Sequence, residues 1–297
     1  MKIKNKFSIS IVGAGRLGGA LAIALDRKNY KIVSVVARRF ETAARAAQQI
    51  STATEILTAE NIAEIPSSDI VFITTPDPEI EPTAARLAAN RNFNSETIFL
   101  HTSGSLSSAV LSRLKNVGAK TGSLHPLVSV SDSSAGAERF AGAFFCVEGD
   151  AKAVEAAKQI VTDLGGESFE INPEFKTLYH AAALMTAGHL VALFDVAAET
   201  LSRCGIEESE ARRILLPLAR SAVENLGRQT PAAALTGTFS RADVETMRRH
   251  LESLREHETA LRVYAELGKR SIELAREQGA DREKLEEMRS ILLNREP

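Results

Sequence analysis

The sequence contains few of the residues that mark disulfide scaffolds, metal centres or strongly charged binding proteins. Its 297 residues include two cysteines, no tryptophan and 5% aromatic residues. Cys146 and Cys204 are too few for a disulfide framework and fit no metal-ligand spacing, so we expect no metal site. Neither charge sign prevails, because 36 basic and 38 acidic residues give a net charge of −2. This balance predicts no nucleic-acid partner.

Long apolar runs are also missing. We find no run that approaches the roughly 18 apolar residues of a membrane-spanning helix, and therefore expect no membrane partner. Met1–Lys6 is basic and precedes an apolar stretch, as in a signal peptide. However, Arg16 interrupts that stretch, and its glycines stand where a turn would use them. The sequence predicts a soluble, cytoplasmic protein, with a secretory signal as the alternative.

The patterns that are present divide the chain near Asn172. Before it, short β-branched runs alternate with alanine-rich helical patterns, which predicts an α/β fold with a doubly wound, mostly parallel sheet. After Asn172-Pro173 only helical patterns remain. The predicted strands are Phe7–Val12, Lys31–Ala37, Ile70–Thr74, Thr97–His101, Lys120–Leu124, Ala143–Glu148 and Ser168–Ile171. The main predicted helices are Leu17–Asp26, Glu41–Ile50, Ile80–Ala89, Ala151–Leu164, Phe175–Arg203, Glu207–Leu226, Ala242–Arg255, Glu258–Gln278 and Arg282–Leu293.

A glycine-rich motif lies between the first predicted strand and the first predicted helix. In such a motif Gly13 allows the tight turn, Gly15 lets a pyrophosphate approach the backbone, and Gly18 lets the helix pack against the strand. The N-terminus of the helix then offers unpaired N–H groups to the phosphates. The alternative is a glycine-rich turn without a ligand. We predict a Rossmann-type dinucleotide-binding domain at residues 1–172, and a helical domain for substrate binding or dimerisation at 173–297. The residues predicted to contact the cofactor here are Gly13, Ala14, Gly15, Arg16, Leu17 and Gly18.

The end of the second predicted strand indicates which cofactor binds. A site for NAD usually has Asp or Glu there, to accept hydrogen bonds from the ribose hydroxyls. This sequence instead has Arg38 and Arg39, and its first acid is Glu41. Two guanidinium groups suit a 2′-phosphate, so the sequence favours NADP over NAD. In the alternative, both arginines are solvated residues at the start of a helix.

Two further strand ends carry small polar residues. Thr74, Thr75 and Pro76 follow one strand, and Ser103 and Gly104 follow another. Because ligands of open α/β sheets bind beyond the carboxyl ends of strands, we expect both segments to border the nicotinamide. Turn formation and helix capping explain the same residues equally well.

The start of the long helix after residue 173 supplies the candidate catalytic residues. Lys176 and His180 are i,i+4 neighbours and lie on one helix face. We predict that Lys176 stabilises or protonates a developing oxyanion and that His180 orients it. The alternative is a solvated lysine with a packing histidine. His125, before Pro126, is a candidate substrate contact or a structural histidine at a strand end.

In their order and spacing, these motifs resemble a family of Rossmann-like oxidoreductases with a C-terminal helical domain of uncharacterised function. The family is distantly similar to ketopantoate reductase, pyrroline-carboxylate reductase and the 3-hydroxyacid dehydrogenases. The resemblance implies an NADP-type cleft, a substrate pocket between the domains and a helical domain that often forms dimers. In these relatives a helix lysine is followed one turn later by asparagine, where this chain has His180.

The resemblance also implies further substrate contacts. These are Ser103, Gly104 and His125, together with Thr236 and Arg241 of a C-terminal loop, where Arg241 would pair with a substrate carboxylate. That loop departs from the family pattern, with Thr238 in place of a common proline and Ala242 in place of a common glycine.

The combined prediction is an NADP-dependent oxidoreductase that reduces a small polar, anionic C=O or C=N compound. Resemblance alone places 2-oxo acids of the ketopantoate type first. One alternative is a sensor or assembly protein that binds NADP without turnover. Another is a reductase that uses a deazaflavin.

Overall fold

A computed structural model describes residues 6–294. The chain divides into two compact units, Met1–Met185 and Thr186–Pro297. The predicted boundary at residue 172 follows the last strand, which ends at Glu170. The two units divide later in the chain, between Met185 and Thr186. This point lies inside a helix, and neither residue is one that favours a turn. The basic segment considered as part of a signal peptide falls mostly on residues 1–5, outside the described residues.

Within residues 6–294 the first unit contains one eight-stranded sheet with helices on both faces. Its strands are β1 Ser8–Val12, β2 Lys31–Ala37, β3 Glu55–Thr58, β4 Ile70–Ile73, β5 Ile98–His101, β6 Lys120–Pro126, β7 Phe144–Gly149 and β8 Glu167–Glu170. The helices in or entering this unit are α1 Arg16–Arg27, α2 Phe40–Ala47, α3 Asp77–Leu87, α4 Ser112–Asn116, α5 Ser133–Glu138, α6 Ala151–Leu164 and α7 Lys176–Ser202. Short 3₁₀ segments lie at Ala59–Glu64, Ser108–Leu111 and Pro173–Phe175.

The sheet has the strand order β3-β2-β1-β4-β5-β6-β7-β8. Neighbouring strands are parallel except for β6 and β7, which pair antiparallel. Central strands such as β4 are buried along their whole length, because helices cover both faces of the sheet. One apolar core lies between the sheet and α1, α5 and α6, and the other lies on the side of α3 and α4. The predicted doubly wound, mostly parallel fold is confirmed.

The strand order reverses at β1, because β2 and β3 are added on one side of it and β4 on the other. In open α/β sheets this reversal leaves a crevice at the carboxyl ends of the strands. The same edge carries the glycine motif after β1 and the polar segments after β4 and β5.

The described residues of the second unit form only helices and the loops that connect them. After the remainder of α7, it consists of α8 Glu208–Leu226, α9 Pro231–Ala234, α10 Val244–Ser253, α11 Glu258–Glu277 and α12 Arg282–Leu293. Its core is built from side chains such as Met247, Ile272 and Met288. The predicted change from strands to helices is therefore present.

Helix α7 corrects one expectation from the sequence. With the preceding 3₁₀ turn it forms a helix over Pro173–Ser202, whose most apolar window has a mean hydropathy of 1.6 and is 6% buried. Length and composition therefore suffice for a membrane span, although core helices of soluble proteins meet the same criteria. The expectation that no segment approaches this limit was wrong. Small polar residues interrupt the apolar run, so the sequence shows no long uninterrupted stretch. Because the helix has few charged residues, its average hydropathy is nevertheless high.

Candidate functional site

A cleft of about 1000 Å³ lies at the carboxyl ends of β1, β2, β4 and β5. All its lining residues belong to the first unit. Buried strands fix its floor, whereas its walls are the turns that follow them. The cleft is lined by residues 12–17, 36–39, 74–77 and 102–104, and by Thr42, Ala59, Ile62, Glu79, Thr83, Arg86, His125, Val130 and His180.

The glycine turn is held tightly at its two outer glycines. Gly13 has a φ of 111°, and a Cβ there would lie 2.7 Å from the backbone carbon of Thr74. A Cβ at Gly18 would lie 2.3 Å from the carbonyl oxygen of Gly13. The N–H groups of Gly13 and Ala14 both donate to the carbonyl of Val36, at 2.8 and 2.9 Å. The protein's own packing therefore requires glycine at positions 13 and 18.

Gly15 differs from these two glycines. Its φ is −78°, and a Cβ there would meet only the Gly13 carbonyl oxygen, at 3.9 Å. The contacts within the protein therefore do not require glycine here, whereas a phosphate approaching the backbone would. Helix α1 begins at the next residue, and no side chain caps it. Among the described residues, the N–H groups of Arg16, Leu17 and Gly18 have no acceptor. Together these features fit the pyrophosphate of a dinucleotide.

Positive charge gathers at the β2 side of the cleft. Arg16, Arg38 and Arg39 are exposed and line it. None of their guanidinium groups forms a hydrogen bond or ion pair with another residue of the described chain. Arg86 also lines the cleft, but it donates to the carbonyls of Ala59 and Glu60. Three cations without protein partners can therefore receive anionic groups of a ligand.

The segment after β4 has two different threonines. The hydroxyl of Thr74 donates to the carbonyl of Gly13 at 2.8 Å, so it braces the glycine turn. The Thr75 Oγ1 atom is buried and has no partner in the described structure. Pro76, which is exposed, stands at the N-cap of α3. Thr75 is therefore the residue of this segment whose polar atom still lacks a partner.

The segment after β5 is fixed by a buried lysine. Lys176 is 1% exposed, and its Nζ donates to the Ser103 carbonyl at 3.1 Å and to Ser123 Oγ at 2.9 Å. Ser103 Oγ accepts from the N–H groups of Ser105 and Leu106. Burial lowers the pKa of Lys176, and the nearby Cys146, Glu148 and Asp77 partly oppose this effect. Lys176 thus holds the Ser103 segment from behind and is absent from the cleft lining.

Two histidines and a tyrosine meet at this end of the cleft. His125 Nδ1 lies 2.6 Å from the Tyr179 hydroxyl, and the rings of His125 and His180 stand edge to face, 5.8 Å apart. A Cβ at Gly104 would lie 2.5 Å from His180 Cδ2 and 2.8 Å from His125 Nε2. Glycine at 104 therefore allows both imidazoles to approach the backbone after β5.

Burial keeps His125 and His101 neutral. Burial lowers the pKa of His125 to about 4, and the charges of Lys176 and His180 add to the effect. Burial likewise lowers the pKa of His101, at the end of β5, to about 3, with a further contribution from Lys176. At neutral pH both imidazoles are therefore uncharged. Burial raises the pKa of Tyr179, which consequently keeps its proton.

The structure brings most of the predicted site residues into one cleft. The glycine motif, the arginines after β2, the segments at 74–76 and 103–104, His125 and His180 all border it, apart from Gly18, which packs beneath the turn. Lys176 approaches it only through Ser103. Thr236 and Arg241 are exposed residues of the second unit, and their role stays a prediction.

Sequence reasoning did not select several residues of the site. Asp77, Thr42 and Arg86 line the cleft, and Tyr179 contacts His125. Tyr179 had a usable signal, because it lies between Lys176 and His180 at the start of the same helix. Arg86 had none, since its position at the end of α3 depends on how that helix packs.

Comparisons with known proteins agree with this architecture. Residues 2–126 match the Rossmann-like domain family, and residues 143–271 match a domain of unknown function (DUF2520). Comparison with curated proteins gives no match.

Three solved structures share the fold over nearly their whole length. The "putative NADP oxidoreductase" of Bacteroides fragilis is 23% identical, with a TM-score of 0.74 over 90% of this chain and 98% of that one. Protein TM1727 of Thermotoga maritima is also 23% identical, with a TM-score of 0.71 over 91% and 99%. Plasmodium falciparum pyrroline carboxylate reductase with NADP bound is 11% identical, with a TM-score of 0.57 over 91% and 98%.

At these identities the likeness is one of fold. It agrees with the resemblance seen in the motifs, since that family also joins a Rossmann-like domain to a helical C-terminal domain. The chain is thus similar to the Rossmann-like domain family over residues 2–126 and to DUF2520 over residues 143–271, which agrees with the resemblance that its motifs indicated.

Proposed function

We propose that the protein is an NADP-dependent oxidoreductase that reduces a small polar, anionic C=O or C=N compound. The observation that carries the proposal is the open backbone at Gly15, beside guanidinium groups without partners. The same cleft ends at His125 and His180. The Bacteroides fragilis protein is named an NADP oxidoreductase, and the Plasmodium falciparum reductase has NADP bound, so both support the same cofactor.

Different residues of the cleft suit different parts of the dinucleotide. The free N–H groups at the start of α1 suit the pyrophosphate, because the helix dipole adds to their positive charge. Arg38 and Arg39 suit the 2′-phosphate that distinguishes NADP from NAD. Thr75 also lines the cleft, but its hydroxyl is buried, so its contact with the cofactor stays a prediction.

The end of the cleft at His125 and His180 has to supply a proton and to stabilise the negative charge that develops on the substrate. Reduction of C=O to CH–OH consumes one hydride, which bound NADPH supplies, and one proton. His180 is half-buried in the cleft wall and forms no hydrogen bond with another described residue, so it can exchange a proton with solvent. Lys176 acts on the site through Ser103 as the structure stands; direct contact of its amine with substrate stays a prediction. So does the pairing of Arg241 with a substrate carboxylate, with Thr236 beside it.

The activity can be tested by stereospecific transfer of deuterium from labelled NADPH. A panel of 2-oxo acids and cyclic imines would be incubated with the purified protein, and the products analysed by mass spectrometry. We expect deuterium in at least one product, from one face of the nicotinamide only. Tight NADPH binding without transfer to any compound would instead indicate a sensor. Binding of a deazaflavin in preference to NADPH would indicate the third class.

The preference for NADP has its own test. We expect the double substitution Arg38→Ala, Arg39→Ala to weaken NADPH binding by about 10- to 100-fold, because charge-assisted hydrogen bonds to the 2′-phosphate are lost. NADH binding should change by less than about threefold. Arg45→Ala is the matched control, since Arg45 is exposed on α2 but does not line the cleft. An unchanged ratio of the two affinities, measured by calorimetry, would show that the arginines do not read the phosphate.

A further inference from the structure

We infer that His125 is a catalytic residue that donates a hydrogen bond from Nε2 to the reacting oxygen or nitrogen of the substrate, and that Tyr179 is the positioning residue that fixes this tautomer. The inference rests on the proposed function and names the group that polarises the substrate of that same site. It assigns the role to His125, where the sequence had pointed to Lys176.

In the proposed arrangement the Tyr179 hydroxyl donates to His125 Nδ1, across a distance of 2.6 Å. The tyrosine hydroxyl has no other hydrogen-bond partner among the described residues. Because burial raises the pKa of this phenol, the hydroxyl keeps its proton and is able to donate it to Nδ1. A neutral imidazole that accepts at Nδ1 carries its hydrogen on Nε2. Donation by Tyr179 across the 2.6 Å contact therefore selects the Nε2–H tautomer.

The position of the Tyr179 ring is itself constrained. It stands edge to face against Phe169 of β8, with ring centroids 5.9 Å apart, and edge to face against His125 at 5.6 Å. The tyrosine cannot turn away from His125 without losing the contact with Phe169. Tyr179 therefore positions the imidazole as well as accounting for its proton.

His125 lines the cleft, and its Nε2 atom lies beside Gly104. Nε2 forms no hydrogen bond with a described residue, and unlike Thr75 Oγ1 it is not sealed from solvent. It lies 2.8 Å from the place where a Cβ of Gly104 would be. The absence of a side chain at 104 therefore leaves Nε2 open to a ligand beside Ser103.

The charges around His125 favour a neutral donor. Lys176 and His180 both disfavour a proton on Nδ1, whereas Asp77 favours one and is the weakest of these influences. A neutral imidazole donates a hydrogen bond without transferring its proton, which matches an oxygen that gains negative charge as hydride arrives. The buried lysine thus has a second effect, because its charge helps to keep His125 uncharged.

The tautomer can be measured without substrate or cofactor. Nitrogen-15 NMR of the full-length protein should show His125 with hydrogen on Nε2 only. In Tyr179→Phe we expect a mixture of the two tautomers. Tyr264→Phe is the matched control, since Tyr264 makes the same contact with His250 Nδ1, at 2.9 Å, in the second unit. A wild-type protein with hydrogen on Nδ1, or an unchanged tautomer in Tyr179→Phe, would overturn the role of Tyr179.

Activity tests the role of His125 itself. With a reducible compound from the panel, we expect Tyr179→Phe to lower kcat by about 10- to 100-fold with little change in KM or in NADPH affinity. His125→Gln should keep more activity than His125→Asn, because the Gln amide nitrogen reaches the place of Nε2 whereas that of Asn reaches the place of Nδ1. The reverse order would overturn the donor role. Absence of turnover on every compound would overturn the proposed function and the catalytic role with it, while the tautomer measurement still decides the role of Tyr179.

Discussion

At the scale of single residues, three glycines of one turn have separable roles. Gly13 and Gly18 are required by the fold, since a Cβ at either would overlap backbone atoms of the turn or of Thr74. Gly15 has open space around it and a backbone conformation that any residue adopts. The same motif therefore combines two positions where the fold requires glycine with one where the packing of the protein does not.

Substituting these glycines should separate binding from folding. We expect Gly15→Ala to weaken NADPH binding at least tenfold, because its methyl group occupies the space for the pyrophosphate, while the free energy of unfolding changes by less than about 0.5 kcal/mol. Gly18→Ala should instead destabilise the protein by about 1–3 kcal/mol. Calorimetry and urea unfolding measure the two quantities. Equal NADPH affinity in Gly15→Ala and wild type would show that no phosphate binds there.

The buried His101 should make the protein sensitive to acid. Its pKa is about 3 in the folded state, below the ordinary histidine value of 6.5, so between these pH values the unfolded chain takes up a proton that the folded chain does not. This histidine's contribution to stability is therefore complete above pH 6.5 and is lost as the pH falls, at up to about 1.4 kcal/mol per pH unit.

His101→Asn tests this linkage, because Asn can still accept the hydrogen bond from the Ser103 N–H that His101 Nδ1 now accepts. We expect the dependence of unfolding free energy on pH, measured between pH 6 and 4.5, to be shallower than in wild type. His257→Asn, at a partly exposed histidine of the second unit, is the control and should leave the slope unchanged. Parallel slopes for wild type and His101→Asn would show that His101 does not resist protonation.

At the scale of elements, local signals predicted those parts of the fold whose cause is local. The strands with continuous β-branched residues and the glycine turn after β1 carry their own pattern, and α6 and α12 begin and end as predicted. Strand β3 was missed because it is a four-residue edge strand with only Leu57 buried, so its apolar pattern is too short to be distinctive. The antiparallel pairing of β7 was also not predicted, since pairing direction depends on chain connectivity.

The orientation of Lys176 shows why part of the site could not be read from the sequence. Helical spacing correctly puts Lys176 and His180 on one face of a helix. Spacing cannot show that Ser103 and Ser123, more than 50 positions earlier in the chain, surround the amine. Likewise, a tyrosine one residue before His180 acquires a role only when β6 brings His125 within 2.6 Å. Long-range packing decided both.

At the scale of the whole molecule, the second unit has an apolar surface with no described partner chain. The exposed side chains include Val191 of α7 and Leu218 of α8, which are 70% and 68% exposed. A groove of about 430 Å³ with mainly apolar lining runs among α7, α8, α10 and α11. Apolar surface of this extent marks an interaction site. We propose that a second copy of the chain covers it, since the resemblance of the motifs implies a dimer; the cytoplasmic location stays a prediction.

The oligomeric state should therefore depend on this surface. Light scattering after size exclusion should give about twice the 32.0 kDa of one chain. We expect the double substitution Val191→Glu, Leu218→Glu to yield monomers, since two buried charges per copy without partners disfavour association. Val117→Glu, at a residue 59% exposed in the first unit, is the control and should remain dimeric. A monomeric wild-type protein would contradict the dimer. Retention in the membrane fraction until detergent is added would instead make the apolar α7 a membrane contact, as its length and hydropathy allow.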